Sequence, residues 1–111
     1  MQEITDEYMK QMGATTKPYT VVILKKGPAF RMPDVFPVLW EHGRRNYQLR
    51  AAGSLSIVCP IPGDTGMAGV GIFSTDPETT RAIMDDDPAV REGILVYEVY
   101  ASKSFPGDHL P

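Results

Sequence analysis

The chain has 111 residues, 42% of them hydrophobic and 23% charged, and its formal net charge is −3. That is enough for one domain with one modest core, and Lys25-Lys26 and Arg44-Arg45 are the only basic pairs, which argues against a phosphate-tracking surface. No apolar run approaches a bilayer span, no signal-peptide pattern opens the sequence, and a single cysteine allows neither an internal disulfide nor a thiolate metal cluster.

Ile4, Tyr8, Met9 and Met12 recur at helical spacing, predicting a short amphipathic helix that Gly13 ends. This helix belongs to an N-terminal extension over 1–18, ahead of a domain over 19–103 and an irregular tail over 104–111. Tyr19 to Leu24 is apolar and β-branched, a first strand closed by Gly27-Pro28. Pro33 suits the first turn of a helix, with Asp34 near its positive end. That helix should run to about Ala52 and stop at Gly53. Ser54 to Cys59 is the second strand, with Cys59 expected as a small buried hydrophobe. A turn-rich segment, Pro60 to Gly66, leads to the third strand, Met67 to Phe73. Asp76-Pro77-Glu78 supplies the cap, first-turn proline and early acid of another helix ending near Met84. Asp87-Pro88 opens a single helical turn that Gly93 terminates, and Ile94 to Ala101 is the last strand.

The order β-α-β-β-α-β predicts an α+β, ferredoxin-like domain with two helices on one face of a four-stranded antiparallel sheet. Val21-Val22-Ile23-Leu24, Ile57-Val58-Cys59 and Val70-Gly71-Ile72-Phe73 do not alternate apolar with polar. Continuous apolar strands indicate burial on both faces. Two helices cover only one, so a homodimer packed sheet against sheet is expected, with higher oligomers left open.

Chemistry concentrates at two places. On the long helix, Val35, Val38, Leu39, His42, Asn46 and Leu49 share one side, whereas Arg44, Arg45, Gln48 and Arg50 point mostly elsewhere. His42 and Asn46 are one turn apart and place two polar groups on an apolar stripe. Either they reach backbone partners at the edge of the core, or they belong to a site. The run Asp85-Asp86-Asp87 sits at the negative end of a helix dipole, which helix stability alone would not select. Asp87 has a structural role available, as the cap before Pro88. Adjacent acids are a weak ligand pattern, so no metal is expected from them and His42. Gly63-Asp64-Thr65-Gly66 lacks the lysine and the length of a phosphate loop. Ser54 and Ser56 lack a nucleophile-elbow context, and His109 is expected to be exposed in the tail.

A helical His42, the Ala52-Gly53 stop, and Asp87-Pro88-Ala89-Val90-Arg91-Glu92-Gly93 before a last strand together resemble the YciI-like (YCII-related) family. The resemblance covers about Tyr19 to Ala101. It implies a ferredoxin-like fold that dimerises into an α/β barrel through its sheets. It also implies a pocket with a catalytic histidine–aspartate pair, here His42 and Asp87. One relative is a dehydrochlorinase acting on a hydroxyquinone. The function expected is therefore acid–base chemistry, elimination or isomerisation, on a small cyclic or aromatic metabolite. Asn46 would orient substrate oxygen, and no cofactor is expected. The alternative is a non-catalytic ligand-binding or structural dimeric domain. A cytoplasmic protein that binds neither nucleic acid nor membrane is expected in both cases.

Overall fold

The computed structural model describes residues 1–111. Its elements are α1 (Asp6–Gly13), β1 (Lys17–Lys26), α2 (Phe36–Ala51), β2 (Leu55–Pro60), β3 (Met67–Phe73), α3 (Pro77–Asp85), α4 (Pro88–Arg91) and β4 (Leu95–Ser104). The four strands form one antiparallel sheet in the order β2-β3-β1-β4. With α2 and α3 as the crossovers, this is the ferredoxin-like arrangement expected of the sequence.

Register decides which side chains meet. Thr20, Val22 and Leu24 of β1 stand opposite Phe73, Gly71 and Gly69 of β3. On the other side they stand opposite Ala101, Val99 and Tyr97 of β4. These positions face the helices, and the core is built there from Val22, Leu24, Leu55, Phe73, Met84, Ala89, Ile94 and Leu95. Val21, Ile23, Ile57, Val70 and Ile72 lie on the opposite face and are only half-buried. Val96 and Tyr100 on that face are exposed. Sheets alternate sides residue by residue, so the unbroken apolar runs do supply both faces.

Three local readings change. The long helix begins at Phe36, and Pro37 rather than Pro33 occupies its first turn. Asp34 has φ 64°, a left-handed conformation that ends any helix begun at Pro33. Cys59 is exposed, not buried. It lies on edge strand β2 opposite Val70, so it points to the uncovered face of the sheet. The end of α2 is as expected: Gly53 takes φ 82°, its N–H reaches Arg50 O, and Ser54 N–H reaches Leu49 O.

Two glycines answer to opposite constraints. At Gly27 the chain leaves β1 against the Gly93–Ile94 peptide, and a Cβ there would lie 2.3 Å from Gly93 O. Gly43 is inside α2, and a Cβ there would meet nothing within 4 Å. Gly27→Ala is expected to lower stability by roughly 2–4 kcal/mol through backbone displacement. Gly43→Ala should raise it by about 0.5–1 kcal/mol through reduced chain entropy. Urea unfolding of the two variants beside the parent measures both.

Candidate active site

Pro88 sets the position of the aspartate before it. A residue preceding proline is pushed into the extended region, and Asp87 has φ −73° and ψ 131°. From there its Oδ1 accepts the Ala89 N–H at 2.9 Å and caps α4. Its Oδ2 is left facing α2, where it meets His42 Nδ1 at 2.7 Å. The Asp87 side chain is 1% exposed and that of His42 is 14% exposed. The histidine of the helix and the aspartate of the acidic run are therefore in direct contact inside the protein.

Burial alone would push the Asp87 carboxyl up, because it penalises the charged form. The hydrogen bond and charge of His42, joined by the backbone N–H groups of Ala89 and Val90, outweigh it and hold the group below its usual range. An ionised Oδ2 only accepts, so Nδ1 carries the proton of that bond, and in the neutral imidazole Nε2 is the nitrogen without one. Asn46 Nδ2 stands 3.4 Å from that Nε2. Asp87 thus assigns the tautomer of the neutral ring, and Asn46 Nδ2 is placed to donate to Nε2.

The other acids of the run have separate partners. Tyr97 donates to Asp85 Oδ1 at 2.5 Å, and burial together with that carboxylate pushes its phenol up to about 12. Asp86 pairs with Arg91 and lies 3.8 Å from Arg45 Nη2. These partners answer the electrostatic objection to three carboxylates at a helix end. Arg45 does not point away from the site as its sequence position suggested. Its Nη1 lies 3.9 Å from Asp87 Oδ2 and is buried without a hydrogen-bond partner. The missed signal was its spacing, three residues beyond His42 and four before Leu49, both on the inward side.

His42 and Asn46 open onto a cleft of about 510 Å³ between α2 and the sheet. Its floor contains Val22, Leu24, Gly69 and Gly71, and Phe73 and Met84 contribute to the inner wall. The space exists for two reasons. Gly69 and Gly71 project nothing from the helix-facing side of β3, and no α2 residue is fully buried, so that helix stands off the sheet. Lys26 also lines the cleft, donating to Gly63 O at 2.9 Å, with its Nζ 5.1 Å from the Phe30 ring centroid. An apolar cleft with few convergent polar groups is the usual form of a small-molecule site. His109 is exposed and bonds only to the neighbouring Leu110 carbonyl.

No protein-family model matches the chain, and no curated protein matches it by sequence. Among solved structures the fold is similar to that of 5-chloro-2-hydroxyhydroquinone dehydrochlorinase (TftG) from Burkholderia phenoliruptrix AC1100, in complex with 2,5-dihydroxybenzoquinone. The TM-score is 0.58 at 15% identity, over 74% of this chain and 90% of that one. What the two share is the fold. No helix of the present protein is long and apolar enough to cross a membrane.

The shift at Asp87 has a pH signature. A carboxyl held below its unfolded value of about 3.9 stabilises the fold fully above that value. The contribution is lost as the pH falls through the lower, folded pKa. His42→Ala removes two lowering influences and leaves burial in place, so Asp87 should titrate higher and acid unfolding should begin at higher pH. Carboxyl ¹³C titration and acid-unfolding midpoints of parent and variant check this.

Proposed function

We propose that the cleft is an active site for acid–base chemistry, elimination or isomerisation, on a small cyclic or aromatic oxygenated molecule. The observation that carries this is the 2.7 Å His42–Asp87 contact at the wall of an apolar cleft, which leaves Nε2, with Asn46 beside it, as the basic atom of the neutral ring. Imidazole both takes and returns a proton near neutral pH. In the proposed reaction Nε2 removes a proton from substrate carbon or oxygen, and Asp87 stabilises the imidazolium that results. The released electron pair then expels a leaving group, giving elimination. Alternatively it shifts the double bond, and the imidazolium returns the proton elsewhere, giving isomerisation. Asn46 orients substrate oxygen, and Lys26 receives negative charge that develops toward the mouth. We read the chain as YciI-like, a reading supported by the Asp87-to-Gly93 segment and by the fold it shares with the dehydrochlorinase.

A second reading has its own support: Asp87 caps α4, so a structural role for it needs no substrate. Asp87→Asn separates the two. Asparagine is as good a cap as aspartate, so Oδ1 still accepts from Ala89. Its amide, however, presents donors to His42 and favours the opposite tautomer, with Nε2 protonated. On an active protein, turnover is expected to drop roughly 10²–10⁴-fold, as when a histidine base is held in its wrong tautomer. The stability loss should be smaller than in Asp87→Ala. Imidazole ¹⁵N shifts report the tautomer, and 2,5-dihydroxybenzoquinone serves as the binding probe. Unchanged turnover on an identified substrate would remove the dyad.

We further propose that the uncovered sheet face packs on its counterpart in a second copy. Val21, Ile23, Val70 and Ile72 form its apolar centre, and Lys25 pairs with Glu98 beside them. An apolar sheet face of this extent is a liability on a monomer. Ile72→Lys should abolish sheet pairing and halve the mass of the assembly by light scattering while leaving the circular dichroism spectrum of the fold unchanged.

A further inference from the structure

Two further apolar surfaces are left without partners, both away from the sheet face. One is the outward side of α2. Phe36, Trp40 and Tyr47 fall on it at spacings of four and seven residues and are 70%, 60% and 69% exposed. Phe36 and Trp40 touch, with ring centroids 6.0 Å apart, and the Arg50 guanidinium lies 5.8 Å from the Tyr47 ring centroid. Gly43 sits between Trp40 and Tyr47 with open space beside it. The strip therefore has a shallow saddle where another backbone can approach.

The other surface is α1. None of its residues is buried; Tyr8 and Met9 on its apolar side, and Ile4 just before it, are 49%, 63% and 50% exposed. A helix of eight residues is marginal in water unless something packs against its apolar side. Charge matches the two surfaces as well. The α1 helix and the residues just before it carry Glu3, Asp6 and Glu7 against Lys10, and the strip of α2 is flanked by Arg44, paired with Glu41, and by Arg50.

We propose that α1 of one copy docks along the Phe36–Trp40–Tyr47 strip of a second copy, which returns its own α1 in the same way. One chain supplies one helix and one strip, so a two-fold exchange satisfies both surfaces on both copies and closes. Tyr8 and Met9 lie on the aromatic strip, with Met9 over the Gly43 saddle. The acids of α1 lie along Arg44 and Arg50. The strip is on the opposite side of α2 from the sheet, so this contact is separate from sheet pairing and does not depend on any reading of the cleft.

Trp40 is the protein's only tryptophan and reports the contact directly. The expected result is blue-shifted Trp40 emission at high concentration that moves to the red on dilution. The same red emission should appear at all concentrations in Met9→Glu, a substitution that touches no core residue. Glu7→Arg should weaken the association roughly fivefold, the scale of an exposed ion pair, and Arg44→Glu in the same chain should restore part of it. Emission that is red in the parent up to its highest soluble concentration overturns the proposal. So does blue emission that persists on dilution, because α1 would then be folded onto its own chain.

Discussion

A carboxylate with 1% of its side chain exposed costs several kcal/mol to desolvate unless its oxygens are bonded, and Asp87 has both occupied. One oxygen holds the first turn of α4 and the other holds His42. The two bonds tie α4 to α2, whose Val38, Leu39 and Leu49 also pack against the core. The short helix could not persist by its own backbone bonds, and α2 has no fully buried residue to anchor it. Removing the charge therefore disturbs a junction between α2 and α4 as well as a hydrogen bond. A charged group would be replaced by an apolar one with little loss if only stability were at stake.

The cleft follows from the same compromise. His42 and Asn46 occupy positions that a well-packed helix would fill with leucine, and their polar atoms prevent α2 from closing onto the sheet. Below them Gly69 and Gly71 withhold the side chains that would otherwise fill the gap. A Cβ at Gly71 would press on Leu55 Cδ1 at 3.2 Å and on Phe73 Cε2 at 3.3 Å, so the tight packing begins immediately beyond the glycine. The floor is open along one stripe and close-packed beside it.

Much of this was legible in the sequence where a local rule acted alone. The strand order, the Gly53 stop and the Asp76 and Asp87 caps each rest on one residue type with one dominant conformational reason. Legibility failed where two rules competed. Pro33 and Pro37 both qualify for a first helical turn, and only the left-handed backbone at Asp34 decides between them. Cys59 sits in an apolar triplet whose period-two alternation sends Val58 inward and Cys59 outward, and on an edge strand of an isolated chain the outward side is exposed. Arg45 was misplaced because it lies at the margin of the inward stripe that 3.6-residue periodicity defines. Its guanidinium lies instead beside two carboxylates that no helical wheel could supply. The site was half legible for the same reason: the residues were visible, but their meeting depends on long-range packing.

The geometry around Asp87 also bears on why one carboxylate of three would be the functional one. Asp85 ends α3, Asp86 caps it, and both bond to side chains at the surface. Asp87 is held in place, because the Pro88 ring fixes the backbone that follows and the Ala89 N–H fixes one oxygen. Only one direction is then open to Oδ2, and α2 puts His42 in it. The orientation of the imidazole is thus set by main-chain structure rather than by a flexible side-chain partner. That rigidity is what a general base requires, since its reach to a proton tolerates displacements of only a fraction of an ångström. A structural cap in contact with a base holds that base with less lost entropy than a dedicated side chain would, because the cap is already ordered when the fold forms.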